Sequence, residues 1–531
     1  MNKLDHLVNT RWDCVVVGTG MGGATLGHSL ALAGRKVLFV ERGRAHFRHA
    51  DTLRGTYPEM AWSGTSTNPG CSSSDLLCAG RFPDSLLDDK HRFIPMIGTG
   101  SGGSSALYGM AMERFLPSDF SPPHQADSHR QSWPIGYAEL EPWYAKAESL
   151  YRVRGGRDPV RPPAAPLPPA PPPSRQAAEL QQHFAHQGLH PYALPLACER
   201  VPGCTCCQGY LCPRDCKNDA SRICLEPALE QASTALIDEC EVLRLNADTR
   251  RVTGVVCRTG QHQFELDAQQ VVLAAGALHT PSILLRSASE RWPEGLSNRS
   301  GLVGRNLMRH FVDLYLVFTR VGGSHPMKEI GLTDFYDTEF GRMGTIQSFG
   351  QLPPASMLAD TLRDDVAQVA PWATGIVRTM KPLLTAAMEQ LFQRGMLLAA
   401  IMEDSPSPDN HVVPGSPLQV RYQPADGDLQ RLRLFREKVG QALRPYRFLR
   451  LQQAEKNAML AHVCGTCRFG DDPTNSVLNR HNRSHELDNL YVVDASWFPS
   501  SGGTNPALTV AANALRVADH ILGSSSRQEA G

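Results

Sequence analysis

The segment GTGMGG (18–23) lies between two local patterns that restrict how the chain can fold. Before it, the apolar, β-branched run 13–17 (DCVVV) predicts a strand buried in a parallel sheet. After it, residues 24–33 have a helical pattern with Gly34 as a C-cap, and a second buried strand, KVLFVE, ends at Glu41. The order strand, glycine-rich turn, helix and strand predicts a βαβ unit of an α/β fold.

The spacing of the glycines in this turn indicates a dinucleotide site. Gly18 permits the tight turn, Gly20 lets a pyrophosphate approach the backbone, and Gly23 lets the helix and strand pack closely. The helix N-terminus offers free N–H groups and the positive end of its dipole to phosphates. Glu41 is placed to accept a hydrogen bond from a ribose hydroxyl. The motif therefore predicts dinucleotide binding and leaves FAD and NAD open.

Length and charge narrow the class of protein. A chain of 531 residues predicts roughly two to four domains. Lys and Arg total 53 and Asp and Glu also total 53, so the chain has no net charge. A nucleic-acid binder would show a basic excess, so we expect no nucleic-acid partner. No apolar stretch reaches the roughly 18 residues of a membrane span, so we expect no transmembrane segment. The polar start MNKLDHLVNTRW leaves no room for a signal peptide, which predicts a cytoplasmic protein.

Other segments indicate how the chain is organised. The apolar strand VVLAAGA (271–277) lies far downstream, so the nucleotide domain is predicted to combine distant segments. The proline-rich residues 158–174 predict an extended surface connector. Residues 355–402 have helical spacing, which we interpret as core or cap packing rather than a membrane surface. A last amphipathic helix is predicted from Ala507 to Leu522, followed by a disordered polar tail.

Two more motifs have compositions suited to binding or chemistry. The small residues of GTGSGGSS (98–105) let the backbone approach a flat ligand closely. Without the other motifs, this segment would be interpreted as an irregular glycine-rich loop. The C-terminal block contains HVCGTCRFGDDP, beginning at His462, then NLYVVDAS (489–496) and FPSSGGTNPALT (498–509).

Together these segments resemble the glucose–methanol–choline (GMC) oxidoreductases, a family of FAD enzymes. Six motifs occur in the family's order: GTGMGG, GTGSGGSS, VVLAAGALHTPSILL, LVGRNLMRH, HVCGTCRFG and VVDASWFPSSGGTNPALT. The resemblance implies an α/β protein in which a discontinuous Rossmann-like FAD-binding domain joins an α+β substrate-binding domain of antiparallel sheet and helices. The implied ranges are 11–310 for FAD binding, including the connector 158–174 and the Cys-rich segment 198–224, 311–450 for substrate binding, and 451–531 for the return to the FAD domain.

The resemblance also implies roles for individual residues. His462 and Asn505 match the catalytic pair: His462 can accept the hydroxyl proton while hydride moves to the flavin, and Asn505 can donate an N–H to the developing alkoxide. Some members attach FAD to a histidine where this chain has Leu107, so we expect noncovalent FAD. The expected FAD contacts are Gly18, Gly20, Gly23, Glu41, Gly98, Gly100, Gly102, Gly103, Ser104, Val242, Ala275, Gly276, Asp494, Ala495, Asn505 and Pro506.

Half of the fourteen cysteines lie within residues 198–224. The segment TCCQGYLCPRDC (205–216) lacks the paired CxxC knuckles of zinc sites, and its CC-x4-C-x3-C spacing suits an iron–sulfur cluster. This segment resembles the [3Fe–4S] segment of the family's FAD sugar dehydrogenase subunits, which implies Cys207, Cys212 and Cys216 as ligands with Cys206 in reserve. The additional thiols of Cys198, Cys204 and Cys224 depart from that pattern and leave [4Fe–4S] open. Zinc, structural thiols and disulfides are the alternatives.

These features predict a dehydrogenase that oxidises an alcohol, sugar or polyol hydroxyl to a carbonyl. Electrons are expected to pass through the cluster to an external acceptor, such as a cytochrome or a small partner subunit. The alternatives are an oxygen-using alcohol oxidase with structural cysteines and a lyase that keeps FAD without redox use. Export to the periplasm with a signal-bearing partner is the alternative to a cytoplasmic location. No motif in residues 311–445 identifies the substrate.

Overall fold

The computed structural model describes residues 3–62, 72–88, 92–121, 131–322, 327–350, 354–393, 395–456, 460 and 462–529. The strands, β1 to β20 in chain order, are Trp12–Val17, Val37–Val40, Leu86–Leu87, Arg92–Phe93, Tyr192–Ala193, Thr234–Ile237, Glu241–Ala247, Val252–Thr259, His262–Leu266, Ala268–Leu273, Phe311–Phe318, Ile330–Leu332, Asp337–Thr338, Gly341–Arg342, Gly344–Ser348, Gly395–Met402, His411–Val413, Leu418–Arg421, Arg447–Leu451 and Leu490–Val492. The α-helices, α1 to α12, are Lys3–Val8, Met21–Leu32, Pro58–Trp62, Ser73–Cys78, Tyr137–Leu150, Arg175–His186, Glu226–Leu229, Gly276–Arg286, Ala355–Val369, Thr374–Phe392, Asp426–Ala442 and Ala507–Glu529.

A five-stranded sheet with the order β20–β10–β1–β2–β6 forms the dinucleotide layer. β1 pairs in parallel with β10 and β2, so Val15 lies between Val271 and Leu38. All four residues of β2 are buried, as expected for a parallel strand covered on both faces. α2 follows β1, and it packs against both strands and against α12. The predicted assembly from segments far apart in sequence is confirmed.

A six-stranded sheet with the order β19–β11–β16–β15–β12–β5 forms the second layer, and its described pairs are antiparallel. Side chains alternate between its faces, as the pleat of a strand requires. Phe311 and Tyr315 pack with α6 and α11, whereas Leu314 and Leu316 contribute to a cluster on the other face. The predicted combination of a parallel FAD layer with an antiparallel layer is confirmed. α6 and β5 lie within residues 11–310 and nevertheless join the antiparallel layer.

Three local expectations need correction. Residues 395–402 form strand β16, because a buried apolar run of eight residues suits a central strand as well as a helix. α12 continues beyond Leu522 to Glu529, where a disordered tail was expected. α10 has no buried residue, so this helix does not pack in the core, and the other part of the expectation, packing as a cap, stays a prediction.

The proline-rich connector lies on the surface, as expected. Residues 162–174 have no regular secondary structure, and each of them is half-buried or exposed. Within the described part of the chain, none of the helices has the length and apolarity needed to cross a bilayer.

Candidate active site

The glycine-rich turn leaves the N-terminus of α2 uncapped beside open space. Gly18 has a φ of +97°, and a Cβ there would lie 2.4 Å from the carbonyl oxygen of Ala274. A Cβ on Gly23 would lie 2.2 Å from the Gly18 carbonyl oxygen. At Gly20, in contrast, a Cβ would meet no described atom within 4 Å. Because the N-cap residue of α2 is this glycine, no N-cap side chain bonds to the first N–H groups of the helix. The first turn of α2 therefore fits the pyrophosphate of a dinucleotide.

Glu41 is buried at the end of β2 and holds three segments together. Its Oε2 accepts hydrogen bonds from the backbone N and the hydroxyl of Thr19, at 3.0 and 2.7 Å. Its Oε1 accepts from the backbone N of Gly43 and of Gly100, at 2.9 and 3.0 Å. The carboxylate thus fixes the glycine-rich turn against the loop 98–105. Acceptance of a ribose hydroxyl would add to these contacts and remains a prediction.

The two glycine-rich segments lie directly against each other. Gly100 and Gly102 have φ values of +86° and +84°, which other residues adopt rarely. A Cβ on Gly103 would lie 3.0 Å from the Cα of Gly20. Gly98 N donates to the Ser104 hydroxyl at 3.2 Å and closes the loop. The loop therefore presents backbone, with little side-chain bulk, beside the uncapped end of α2, and this suits a flat flavin ring.

The space beside Gly20, the cofactor cleft, is also bordered by the C-terminal block, since a Cβ on Gly22 would lie 2.0 Å from the Val493 carbonyl oxygen, next to Asp494. Its Oδ2 accepts from Gly276 N at 2.9 Å and from the Thr280 hydroxyl, and its Oδ1 accepts from Ser496 N at 2.9 Å. Burial raises the pKa of the Asp494 carboxyl. The other expected cofactor contacts lie in β7 (Val242), at the N-cap of α8 (Ala275), at the start of the short helix 495–497 (Ala495) and immediately before α12 (Asn505, Pro506).

The segment that carries His462 is fixed from both sides. His462 is half-buried and has a φ of +55°, a strained value for a residue with a side chain. Cys464 exchanges two backbone hydrogen bonds with Met308, at 2.9 and 3.0 Å. Gly465 N donates to the carbonyl of Ala495 at 3.1 Å. The backbone therefore sets the position of the His462 ring independently of a substrate.

A second histidine, His310, lies against His462. The two Nδ1 atoms are 2.8 Å apart, and His310 Nε2 lies 2.7 Å from the Gly502 carbonyl oxygen and 3.2 Å from that of Ser501. Because carbonyl oxygens only accept, the proton of neutral His310 is on Nε2, and its Nδ1 is an acceptor. His462 Nδ1 must then be the donor. The hydrogen bonds therefore leave the lone pair of His462 on Nε2.

The surroundings keep both histidines uncharged near neutral pH. Burial lowers the pKa of His462 well below its usual 6.5, and the nearby His310 and Lys328 lower it further. Burial also lowers the pKa of His310. Lys328 is itself buried, and burial lowers its pKa to about 8. A neutral imidazole with a free Nε2 lone pair is the form that can accept a proton.

Asn505 is oriented by a neighbouring amide. Its Oδ1 accepts a hydrogen bond from Gln347 Nε2 at 2.8 Å, so the opposite end of the Asn505 side chain is the donor Nδ2. Two residues earlier, Gly503 N donates to the Tyr336 hydroxyl at 2.6 Å. The loop that contributes Asn505 also supplies the Gly502 carbonyl that holds His310. The predicted pair His462 and Asn505 is thus linked through His310 and this loop.

Sequence reasoning did not assign His310 or Gln347 a role. His310 is the last residue of LVGRNLMRH, one of the six motifs that resemble the family, and its place in that motif could have marked it as a candidate site residue. Gln347 lies in β15 without a recognisable pattern around it. The pairing of β15 with β16 and β12, which are distant in sequence or unmarked by a motif, brings it to the site.

Five of the six cysteines in the range 198–216 are buried, and Cys204 is half-buried. Cys204 Sγ lies 3.7 Å from Cys198 Sγ and 3.4 Å from Cys216 Sγ, and Cys212 Sγ lies 3.6 Å from Cys216 Sγ. Sulfurs bound to one tetrahedral ion at about 2.3 Å are separated by about 3.8 Å, so the spacing matches a metal-binding thiol group. The sulfurs of Cys198, Cys204 and Cys216 all lie within 4.8 Å of one another.

The thiol group differs in part from the predicted ligand set. Hydrogen bonds from Cys198 and Cys206 lower the pKa of Cys204, and one from Cys207 lowers that of Cys212. All four predicted cysteines therefore belong to the group, which also includes Cys198 and Cys204. The seventh cysteine, Cys224, lies elsewhere, with its sulfur 3.4 Å from the Tyr151 hydroxyl. A group of six thiols with short sulfur contacts fits an iron–sulfur cluster in donor type and number.

The cysteine segment is bonded directly to the end of the loop predicted to hold the flavin. Lys217 Nζ donates to the Ala106 carbonyl at 2.8 Å, and Gly209 N donates to the Leu107 carbonyl at 2.7 Å. Leu107 is buried and stands where a covalent FAD attachment would require histidine. The thiol group and the cofactor cleft are therefore adjacent parts of one structure.

The parallel sheet has a glycine-rich turn suited to phosphates, and a neutral histidine held by a second histidine is available as a base. These features together suit a flavin-dependent oxidoreductase. Comparison with known proteins gives the family. The N-terminal family model described as GMC oxidoreductase matches residues 12–312, and the C-terminal one matches residues 405–514. The chain therefore belongs to the GMC oxidoreductases. It is therefore an FAD oxidoreductase that acts on hydroxyl groups.

Individual relatives match nearly the whole chain. Paromamine 6'-oxidase of Streptomyces fradiae is 29% identical, covering 96% of this chain and 91% of the relative. 6'''-Hydroxyparomomycin C oxidase of Streptomyces lividus is 30% identical, covering 96% and 92%. The fructose dehydrogenase large subunit of Gluconobacter japonicus is 25% identical, covering 96% and 97%. The crystal structure of pyridoxine 4-oxidase from Mesorbium loti shares the fold, with a TM-score of 0.62 at 20% identity over 96% of this chain and 99% of that one.

Proposed function

We propose that this protein oxidises a hydroxyl group of a sugar or polyol to a carbonyl, with FAD bound noncovalently in the cleft beside α2. The observation that carries the proposal is the hydrogen bond between His310 and His462, which leaves a neutral base with its lone pair on Nε2.

The residues of the chain supply the proton chemistry. FAD, when bound beside α2, would supply the hydride acceptor for the carbinol carbon. His462 Nε2 takes the hydroxyl proton, and its lowered pKa keeps it ready to do so at pH 7. The Nδ2 group of Asn505 donates a hydrogen bond to the substrate oxygen while negative charge develops on it. The contact from Gln347 keeps that amide from rotating.

Buried polar pairs hold the segment that carries Asn505. Glu113 is buried and accepts a hydrogen bond from the Thr504 hydroxyl at 2.8 Å, next to Asn505. The Tyr336 hydroxyl, also buried, donates to Asp119 at 2.8 Å. The relatives named for paromamine, 6'''-hydroxyparomomycin C and fructose support a hydroxyl-rich substrate.

We further propose that the thiol group holds an iron–sulfur cluster, [3Fe–4S] in preference to [4Fe–4S]. Cys216 Sγ lies 3.4 Å from Cys204 Sγ and 3.6 Å from Cys212 Sγ, and the cysteine segment is bonded to the end of the flavin loop. Such a cluster, when bound, supplies one-electron transfer. Its place beside the cofactor cleft supports a dehydrogenase with an external electron acceptor.

An oxygen-using oxidase is the second candidate, because two of the relatives at 29% and 30% identity are named oxidases. In that case the thiol group is structural or binds zinc, and the sulfur spacing also suits a single tetrahedral ion.

The experiment is anaerobic purification followed by assays for flavin, iron, sulfide and zinc, and a search for flavin bleaching with a panel of sugars and polyols. Bleaching by a panel member supports hydroxyl oxidation, and iron with sulfide supports the cluster. Zinc without iron, together with peroxide formed in step with substrate loss in air, would assign the oxidase function. Absence of bleaching across the panel would overturn the substrate class.

A further inference from the structure

Lys328 is a buried, charged residue to which the proposed reaction gives no direct role. Only 4% of it is exposed. Within the described residues, its ammonium makes no hydrogen bond and no ion pair, and Cys206 and Glu113 act on its charge only from a distance. A buried charged group is costly unless polar partners replace the water that it loses. The ammonium therefore has the capacity to bind a polar group of a ligand.

The ammonium lies beside the side-chain amide of Gln208, and Gly109 makes this arrangement possible. A Cβ on Gly109 would lie 2.8 Å from Lys328 Nζ and 2.5 Å from Gln208 Oε1, closer than Cβ atoms approach such groups. Gln208 Oε1 is buried and has no hydrogen-bond partner among the described residues. A donor and an acceptor, each with unused hydrogen-bonding capacity, thus lie next to each other just beyond the loop predicted to hold the flavin.

Lys328 lies on the side of the antiparallel sheet that faces the catalytic pair. Its Nζ is 5.6 Å from the centre of the Phe349 ring. Phe349 follows Gln347 by two residues, and its backbone N–H continues the pairing with β16, so both side chains are on one face of the sheet. Gln347 is the residue that orients Asn505. The charge of Lys328 also reaches His462, whose pKa it helps to lower. Lys328 therefore borders the space into which a substrate held by the catalytic pair would extend.

A hydroxyl group fits these two side chains. An ammonium only donates hydrogen bonds and an amide oxygen only accepts them, whereas a hydroxyl does both. A carboxylate would bring a second acceptor against Gln208 Oε1, and a cationic amino group would be repelled by Lys328. The two side chains therefore select a neutral, hydroxyl-bearing group.

We propose that Lys328 and Gln208 form a subsite for a second hydroxyl of the substrate, on a carbon other than the one that is oxidised. Lys328 donates to the oxygen of that hydroxyl, and Gln208 Oε1 accepts the hydrogen bond that the hydroxyl donates. Because His462 and Asn505 hold the reacting hydroxyl, two fixed points orient the substrate. The inference rests on the proposed function and adds to it two specificity-determining residues, which disfavour sugars with an amino group at the second position.

The test uses the FAD-loaded protein and the panel member that bleaches its flavin fastest. The efficiency of anaerobic bleaching is measured for this parent substrate and for analogues in which each non-reacting hydroxyl in turn is replaced by hydrogen. In the wild type, one analogue should react about 10- to 100-fold less efficiently than the parent, because it leaves the ammonium without a partner. In Lys328→Met, which keeps the length of the side chain and removes its charge, this ratio should nearly disappear. The loss of charge also affects His462, but it does so for parent and analogue alike and cancels in the ratio.

Two further variants and a control separate the contributions. Gln208→Leu removes only the acceptor and should reduce the ratio in part. Gly109→Ala keeps the charge but displaces both polar ends, so it should resemble Lys328→Met. Lys36→Met is the matched control, because Lys36 is exposed between α2 and β2, and it should keep the wild-type ratio. The flavin spectrum shows whether each variant has folded.

Three results would overturn the subsite. If Lys328→Met slows the parent and every analogue by the same factor, the lysine has only a structural role. If the wild type discriminates against none of the analogues, no second hydroxyl is bound. A wild-type preference for a sugar acid over the neutral sugar, abolished in Lys328→Met, would assign the subsite to a carboxylate instead.

Binding without turnover separates this inference from the proposed function. Dissociation constants for the panel are measured from changes in the spectrum of the oxidised flavin. A panel member that binds without bleaching the flavin, and binds about tenfold more weakly to Lys328→Met, would retain the subsite while overturning hydroxyl oxidation. Absence of both binding and bleaching across the panel would overturn both.

Discussion

Replacing His310 tests the hydrogen bonds that position the proposed base. In His310→Ala, the Nδ1–H group of His462 loses its acceptor at 2.8 Å, and the tautomer with the lone pair on Nε2 loses its support. A buried donor left without a partner costs about 1–3 kcal/mol, which corresponds to a rate lower by about 5- to 150-fold. Complete loss of a general base, at about 10² to 10⁴, is the upper limit.

Two further substitutions separate the hydrogen bond from the volume of the side chain. His310→Asn places an amide oxygen near the position of Nδ1, so it can accept from His462 and should restore most of the rate. His310→Gln can reach the Gly502 carbonyl but offers no acceptor at the Nδ1 position, so it should resemble His310→Ala. The assay is the rate of flavin bleaching in anaerobic stopped flow, and substrate affinity should change less than the rate.

The pH dependence gives a second readout. Proton acceptance requires neutral His462, so the wild-type rate should stay constant from neutral pH downward and decline only below 6.5, where the lowered pKa lies. Removing His310 removes a neighbour that lowers this pKa, so the decline in His310→Ala should begin at a higher pH. If His310→Asn is as slow as His310→Ala, or if all three variants react within twofold of the wild type, then His310 does not position the base.

His462→Ala should slow flavin reduction, measured by stopped flow, by about 10² to 10⁴. The flavin spectrum should show that FAD stays bound. An unchanged rate would remove His462 from the mechanism. Acid precipitation should release yellow flavin into the supernatant, because Leu107 offers no attachment atom; flavin in the pellet would contradict noncovalent binding. Cys212→Ser and Cys204→Ser should each lose iron, measured by metal analysis, while substrate still bleaches the flavin and turnover with a one-electron acceptor falls. Cys224→Ser, whose sulfur lies outside the thiol group, is their control and should retain iron.

The parts of the fold that follow local patterns could be predicted from sequence. The unit from β1 to Glu41 has a buried strand, a glycine turn and a helix in immediate succession, so short-range constraints define it. The contribution of β10 was predictable in part. Its apolar residues 271–273 indicate a buried strand, but the strand expected over 271–277 ends at Leu273, and Gly276 begins α8. β16 was not predictable, because eight apolar residues have no period that separates strand from helix, and its pairing with β11 and β15 is a long-range choice.

In the candidate site, too, local motifs predicted some residues, whereas contacts between distant segments could be seen only in the structure. His462 and Asn505 were predicted from motifs, but the state of the His462 ring depends on His310, which lies 152 residues earlier. The contact of Glu41 with a ribose stays a prediction, and its four hydrogen bonds, which link two glycine-rich segments, could be seen only in the folded chain. Cys198 and Cys204 fall outside the spacing motif, and the backbone path of the loop brings their sulfurs to Cys216.

The central claim is that the carbon–hydrogen bond of a hydroxyl-bearing carbon is broken and its hydride is transferred to FAD. The most direct measurement is anaerobic stopped-flow reduction of the wild-type flavin by a sugar or polyol substrate, compared with the same substrate deuterated at that carbon. Our account predicts complete bleaching, one carbonyl product for each flavin reduced, and a slower rate with deuterium. Bleaching at equal rates with both substrates, or conversion of substrate while the flavin stays oxidised throughout, would contradict it.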